Sequence, residues 1–365
     1  MNEERVHTKR INVRGLPIGG GAPVSIQSMT NLPIEEVEAT IRQIEMLRDE
    51  GADLVRLAVR GEDSIIYLKE IRSMIDMPLS ADIHFNYRIA IKAIKAGIDK
   101  VRINPGNIGD QKRVKEIVRV CKEFNVPIRI GVNSGSIDRK RFQDVSAQSL
   151  VASALEHINI LEDSDFYDII VSIKSSDLFH TIAANRLFSS LKDYPLHIGL
   201  TEAGFGVSCV VHSAIAIGSL LLEGIGDTIR VSMTGDPVEE IVVAKRILES
   251  VGMRNPVIRV ISCPTCGRID PSVNLLDLAT AIEEELMCRF GNVLQDGNRN
   301  ITVAVMGCEV NGPGEASHAD VGVAACRGGE MLLFSEGQRL NKIMKKDAVA
   351  SLKKEVEKII SLWKK

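Results

Sequence analysis

Aromatic residues are scarce in this 365-residue chain: Phe, Tyr and Trp together make up 4%, with a single Trp. Base-stacking platforms of the kind that hold single-stranded nucleic acid are therefore not expected. Positive charge is not in excess either, since 45 Lys and Arg stand against 48 Asp and Glu, a formal net charge of −3. That balance argues against a general nucleic-acid binder while leaving room for a local basic patch. No GxGxxG fingerprint follows the first β-rich run, so the chain has no sign of its own dinucleotide site. The opening MNEERVHTKR carries acids and no apolar run behind it, so no secretory signal is expected and the chain is placed in the cytoplasm. Only Phe205–Leu222 lacks Asp, Glu, Lys and Arg over a span long enough to weigh as a membrane segment. Its Ser208, His212, Ser213 and Ser219 favour a buried helix, and no membrane is expected. Seven cysteines, an odd number in a chain without an export signal, point to metal binding or thiol chemistry rather than a disulfide framework.

The rest of the composition is that of an ordinary globular protein, 45% hydrophobic and 25% charged, and the length suggests two domains. Short β-rich runs recur at Val24–Met29, Leu54–Ala58, Leu79–Asp82, Val101–Asn104, Ile128–Val132, Ile169–Ile173, His197–Leu200 and Thr228–Ser232. They lie about 29 residues apart, the size of a βα unit. Amphipathic stretches fill the gaps, among them Glu35–Glu50, Ser64–Ile75, Lys112–Phe124 and Val238–Ser250. Eight alternations are the count of a closed (β/α)₈ TIM barrel, with an open doubly wound sheet as the alternative. Gly19–Gly21 precedes the first run, in an N-terminal hairpin expected to close the barrel floor. After residue 250 the pattern changes. Strands at Val257–Ser262, Ile301–Met306, Val321–Ala324 and Met331–Phe334, with helices at Asn274–Met287 and Asp347–Trp363, read as a smaller α+β domain. The expected organisation is a barrel over 1–250, a linker over 251–256 and the second domain over 257–365.

A packed barrel fills its strands with branched apolar residues. Here cations interrupt them: Arg56 in LVRLA, Arg102 in VRIN, Arg129 in IRIG, Lys174 in VSIKSS and Arg230 in TIRVS. Burying a cation costs several kcal/mol unless an anion or hydrogen bonds compensate. The strand-end acids Asp82 and Glu202 can pair with two of the five, so the remaining charge calls for an anion from outside. Guanidinium groups bind phosphate in a planar bidentate manner, which makes the barrel mouth a candidate polyphosphate site. Asn104, Asn133 and Ser232 stand at the same strand ends, and His84 in ADIHF is either a capping side chain or a ligand contact.

The second domain carries Cys263-Pro264-Thr265-Cys266 after one strand and Gly307-Cys308-Glu309 within GCEVNGPGE after the next. Two residues between cysteines let both thiolates face one metal or cluster. Three cysteines are one ligand short, and Glu315 is the local candidate for the fourth, with Glu309 as the alternative. An iron–sulfur cluster, structural zinc and a dithiol redox pair all remain open at this level. Cys121, Cys209, Cys288 and Cys326 read as core residues.

The motifs MTN (Met29–Asn31), ADIHF (Ala81–Phe85), VRINPGNIG (Val101–Gly109), RIGVNSGS (Arg129–Ser136), LTEAG (Leu200–Gly204), SCPTCGR (Ser262–Arg268) and GCEVNGPGEA (Gly307–Ala316) occur in an order that resembles the bacterial 4-hydroxy-3-methylbut-2-enyl diphosphate synthases, over essentially the whole chain. The resemblance implies reductive opening of 2-C-methyl-D-erythritol 2,4-cyclodiphosphate in non-mevalonate isoprenoid synthesis. It implies a [4Fe-4S] cluster on Cys263, Cys266, Cys308 and Glu315. It also implies diphosphate contacts from Arg56, Arg102, Arg129 and Lys174, and polar contacts from Asp82, His84, Asn104, Asn133, Glu202 and Ser232. Arg230 gains no role from it, and an ion pair with Glu202 is its simplest alternative. A carboxylate is a weaker ligand than thiolate for soft iron, so Glu315 would leave one iron exchangeable, and Glu202 and Glu315 are the acid–base candidates. An external flavodoxin or ferredoxin is implied as electron donor.

Chain topology adds an expectation of its own. The barrel mouth lies at the strand C-termini, and the last barrel helix runs back to the other end. The six-residue linker then reaches roughly 20 Å at full stretch. A homodimer in which each cluster domain closes the partner's barrel is therefore expected. Two other functions fit parts of the sequence: a metal-independent barrel lyase or transferase for a phosphorylated substrate with a structural zinc module, and a non-enzymatic thiol-redox or interaction module.

Overall fold

The computed structural model describes residues 5–84, 86–103, 111–137, 141–142, 144–296, 299–308 and 318–363. The chain divides into two compact units, Met1–Arg254 and Asn255–Lys365.

In the first unit, β1 (Ile11–Val13) and β2 (Leu16–Ile18) form an antiparallel hairpin. Ile11, Val13 and Ile18 bury themselves against Leu54 and Ile170, the first or second residues of two barrel strands, so the hairpin plugs the strand N-termini. The barrel strands are β3 (Ser25–Met29), β4 (Leu54–Ala58), β5 (Leu79–Asp82), β6 (Lys100–Ile103), β7 (Ile128–Asn133), β8 (Ile169–Lys174), β9 (His197–Ile198) and β10 (Thr228–Ile229). All neighbours run parallel in the order β8-β7-β6-β5-β4-β3-β10-β9. A bridge between Val171 and Leu196 joins β8 to the residue before β9 and closes the ring.

Among the described residues, eight helices alternate with these strands: α1 (Val37–Glu50), α2 (Ser64–Met74), α3 (Tyr87–Lys95), α4 (Gln111–Phe124), α5 (Ala147–Glu162), α6 (Leu178–Leu191), α7 (Gly206–Leu222) and α8 (Pro237–Ser250). Their ends follow local chemistry. Gly51 caps α1 at φ 114° and returns its N–H to Leu47 and Arg48, a conformation glycine adopts without penalty. Ser146 and Ser149 form a reciprocal capping box on α5, and the Asp177 and Asp236 side chains cap α6 and α8.

Two expectations need correction. The uncharged run 205–222 is not a buried helix: α7 packs Cys209, Ala216, Ile217 and Leu220 inward, while its N-cap Phe205 and its Val207, Val211 and Leu222 are exposed. An outer barrel helix has only one face on the sheet. Among the described residues no helix is long and apolar enough to cross a membrane. The last two barrel strands are also shorter than their apolar runs. Gly199 turns away at φ 152°, where a Cβ would meet the Arg230 carbonyl at 2.3 Å and Lys174 Nζ at 2.9 Å. The backbone leaves the ladder there to make room for a charged side chain.

The second unit is one sheet in the order β11 (Ile258–Ser262), β12 (Ile301–Met306), β13 (Val321–Ala325), β14 (Glu330–Ser335), β15 (Gln338–Met344). The first three strands are parallel and the last two antiparallel. Helices α9 (Leu275–Asp296) and α10 (Ala348–Trp363) share one core with Val303, Val305, Val321 and Val323 of the sheet. α9 extends beyond the expected Met287 because Ile282, Leu286, Phe290 and Leu294 continue a buried i, i+4 stripe. Cys288 thus lies inside a helix, exposed rather than core-packed, whereas Cys121, Cys209 and Cys326 are buried. β15 was not expected from its polar sequence QRLNKIM. It is the charged outer edge of the sheet, with Arg339 and Lys342 exposed, a composition that discourages further strand pairing.

Candidate active site

Period-two alternation on the barrel strands decides what faces inward. On β7, Ile128, Ile130 and Val132 join the hydrophobic core, while Arg129, Gly131 and Asn133 line a cavity of about 210 Å³. Arg56, Asp82, His84, Arg102, Lys174 and Ser232 line the same cavity, so eight expected site residues, with Asn133, meet in one place. Asn104 lies outside the described residues. Glu202 follows the lining residue Thr201 on an exposed turn and holds a left-handed backbone, φ 55°. Such a conformation in a non-glycine residue costs of order 1–3 kcal/mol.

The cavity is crowded with positive charge. Asp82 Oδ1 lies 3.2 Å from Arg102 Nη1 and 3.4 Å from His84 Nε2, and Asp82 Oδ2 lies 3.6 Å from Arg56 Nε. Burial by itself would raise the Asp82 carboxyl, but Arg56, His84, Arg102 and Arg129 outweigh it and hold the group well below the usual carboxylate range. The cations feel the opposite pressure. Burial, offset in part by Asp82 but reinforced by Arg230 and Arg102, pushes Arg56 down to about 10. Burial and then Arg56 and Arg102 push Arg129 well below the ordinary arginine value. Guanidinium groups stay protonated in proteins, so this pressure amounts to a demand for a counter-anion.

Hydrogen-bond donors make the same demand. Arg129 is 3% exposed, and its Nε and Nη1, like Arg102 Nε, meet no partner among the described residues. Buried unpaired donors of this kind are rare without a ligand to satisfy them. Gly131 is what admits Arg102: a Cβ there would stand 2.8 Å from Arg102 Nε. Below the cavity Lys100 is fully buried and donates to Gln27 Oε1 at 2.8 Å.

Arg230 also lines the cavity, but not as the partner of Glu202. Its Nε and Nη2 donate to the two oxygens of Glu240 at 3.3 and 3.2 Å. Glu240, 4% exposed on the first turn of α8, also accepts from the Met233 N–H at 3.0 Å. Helix α8 begins a few residues after β10, so its first turn stands over the strand end and supplies the nearer carboxylate. Ser172 and Thr201, which line the cavity, were not anticipated. Ser172 is two residues before Lys174 on β8 and follows from the alternation alone.

In the C-terminal unit, Cys263 and Cys308 follow the parallel strands β11 and β12, so both turns leave the sheet at the same end. Cys263 and Cys308 are half-buried and Cys266 is exposed. The Gly307 N–H donates to Cys263 Sγ at 3.2 Å. The Arg268 backbone N–H, then its side chain, lowers the Cys266 thiol. Backbone N–H donors and a nearby cation both favour anionic sulfur, the state in which cysteine ligates soft metal. Among the described residues no three His, Cys, Asp or Glu side chains converge on one point. Glu315 and Glu309 lie outside the described residues. The donor chemistry of the two cysteine turns fits a thiophilic metal centre.

Fold and site together define a two-domain protein: a TIM barrel with a cation-lined cavity, joined to a mixed-sheet unit bearing cysteine turns. A family model for the GcpE TIM-barrel domain matches residues 8–245, and one for the GcpE protein C-terminal domain matches residues 259–358. The chain belongs to the GcpE family. A relative from Ruminiclostridium cellulolyticum, named 4-hydroxy-3-methylbut-2-en-1-yl diphosphate synthase (flavodoxin), is 48% identical over 98% of this chain and 99% of its own. One of the same name from Clostridium perfringens is 48% identical over 97% of this chain and 99% of its own. Among solved structures, dihydropteroate synthase from Stenotrophomonas maltophilia aligns with a TM-score of 0.50 at 15% identity, over 66% of this chain and 98% of that one. That likeness concerns the barrel fold alone.

Proposed function

We propose that this chain catalyses the reductive ring opening and dehydroxylation of 2-C-methyl-D-erythritol 2,4-cyclodiphosphate to 4-hydroxy-3-methylbut-2-enyl diphosphate, with flavodoxin as electron donor. The names of the full-length relatives support the reaction and the donor. The observation that carries the reading on this chain is the cavity in which buried Arg102 and Arg129 donors have no partner among the described residues. A [4Fe-4S] cluster on Cys263, Cys266, Cys308 and Glu315 would deliver electrons singly.

The chain's own groups do the rest. Arg56, Arg102, Arg129 and Lys174 grip the diphosphate oxygens and stabilise the charge that grows on them as the ring C–O bond breaks. Asp82 keeps Arg56 and Arg102 turned into the cavity. His84, Asn104, Asn133 and Ser232 supply hydrogen bonds that orient the carbon skeleton. Glu202 and Glu315 are the carboxylates assigned to proton transfer.

The working unit in this reading is a homodimer in which each cluster domain closes the partner's barrel. Support comes from the connection between α8 and β11: residues 251–257 span at most about 25 Å. The helix before them leads away from the mouth.

Anaerobically purified protein should be brown, contain iron and sulfide, and turn over the cyclic diphosphate with reduced flavodoxin. Colourless protein with stoichiometric zinc and no turnover would overturn the reading in favour of a zinc-bearing lyase or transferase. For the dimer, Cys308→Ser and Arg129→Ala chains, each inactive, should regain turnover when refolded together, since a mixed dimer holds one undamaged composite site. No recovery, with mixed dimers verified by mass, would place both halves of each site in one chain.

A further inference from the structure

Met29 ends β3 and opens the Met29-Thr30-Asn31 segment, and its sulfur lies between two guanidinium groups of the cavity. Arg56 donates to Met29 Sδ from Nε at 3.1 Å and from Nη2 at 2.9 Å. Arg230 Nη1 stands 3.8 Å from the same sulfur. The backbone here is pinned. Met29 pairs with Arg56 in the β3–β4 ladder, and the Thr30 N–H donates to the Arg56 carbonyl at 3.1 Å. Asn31 is clamped to α1: its N–H donates to Gln43 Oε1 at 3.1 Å, and Gln43 Nε2 donates to Asn31 Oδ1 at 2.7 Å.

We propose that Met29 is a positioning residue for diphosphate binding, holding Arg56 and Arg230 side by side through an acceptor that carries no charge. This rests on the reading of the cavity as a diphosphate site. Two guanidinium groups this close repel each other, and each also meets a carboxylate. Asp82 Oδ2 is 3.6 Å from Arg56, and Glu240 bonds Arg230. Each carboxylate fixes geometry but cancels positive charge. A thioether is a weak, polarizable acceptor: it engages N–H groups and leaves their charge available to an anion. An alkyl side chain would fill the space but leave the Arg56 donors unaligned. A carboxylate would align them and remove one positive charge from the cavity.

The test is inorganic pyrophosphate binding by calorimetry, with thermal melting of each variant. Met29→Leu should weaken binding roughly tenfold, as expected for loss of hydrogen bonds to a charged group, with an unchanged melting temperature. In turnover, KM should rise while kcat holds. Met29→Gln, a neutral acceptor of similar length, should restore binding to within about threefold of wild type. Met29→Glu, though a better acceptor, should bind at least as poorly as Met29→Leu. Wild-type affinity in folded Met29→Leu, or Met29→Gln no better than Met29→Leu, would overturn the proposal and leave Met29 a space-filler. Failure of the wild type itself to bind pyrophosphate would overturn the diphosphate reading of the cavity, a result distinct from either.

Discussion

Arg129 and Lys174 sit within strands of the barrel and are 3% and 7% exposed, whereas Cys263, Cys266 and Cys308 sit on turns just past the strands of the C-terminal unit and range from half-buried to exposed. In the barrel, the ladder fixes Arg129 between β6 and β8 and Lys174 against β7 before any ligand arrives. The apolar neighbours that make the strand rigid also strip the cations of water. That preorganisation is bought with stability, because an unsatisfied buried charge destabilises the empty protein. On the turns the thiols are held by local contacts, such as the Gly307 N–H on Cys263, and metal binding itself can supply the ordering energy. On the proposed function, the difference teaches that a site for a transient anion is built stiff and charged, and a site for a resident group can be left for that group to complete.

The largest effect expected from this contrast is in Cys308→Ser. Iron and sulfide content should collapse and turnover should fall to background, about a thousandfold or more as for removal of an essential group. Pyrophosphate binding by the barrel should stay within about twofold of wild type, well under the tenfold that 1.4 kcal/mol represents. Metal analysis, turnover and calorimetry on one preparation settle it. A parallel loss of pyrophosphate binding would show that the two regions do not act independently and would break the comparison.

What could be read from the residues follows the same divide. A charge amid branched apolar residues on a strand violates the barrel pattern, so Arg56, Arg102, Arg129 and Lys174 announce themselves, and alternation from them reaches Ser172. Glu240 gave no such signal: in PVEEIVV it looks like ordinary acidic dressing on a helix N-terminus, and only the fold brings it over β10 to Arg230. Met29 was equally silent, because nothing in MTN says that a sulfur will meet two guanidinium groups. Strand ends were misjudged where a glycine, Gly199, yields space to Lys174. β15 was missed because an edge strand needs no apolar face. Asn104, read from its strand end, and Glu315, read as the missing fourth ligand, lie outside the described residues.

A smaller effect, on affinity and stability together, should follow from Lys174→Met. Pyrophosphate binding should weaken by about 100-fold, within the 2–5 kcal/mol typical of truncating one partner of a buried charge pair. The melting temperature of the unliganded protein should nevertheless rise, since an apolar side chain of similar length replaces a buried cation. A lower melting temperature would mean that the empty barrel is not electrostatically strained.

The finest effect is in the pH dependence of that same pair of proteins. Burial, then Arg129, Arg230 and Arg56, depress the Lys174 ammonium well below the ordinary lysine value, and only Glu240 pulls the other way. Between the depressed folded value and the unfolded value near 10.4, the unfolded chain holds a proton that the folded chain does not. Stability therefore rises with pH across that window. The penalty from Lys174 is complete below the folded value and disappears above the unfolded one. The stability advantage of Lys174→Met should accordingly be greatest below the depressed folded value and shrink as pH approaches about 10. A bound pyrophosphate reverses the pressure, since an anion favours the ammonium. Within that same window, binding should then draw more protons into the wild type than into Lys174→Met, read as a difference in apparent enthalpy between buffers of unlike ionisation heat. Equal uptake, with a stability gap that does not move with pH, would show that Lys174 is already charged in the empty cavity and that Glu240 suffices to hold it so.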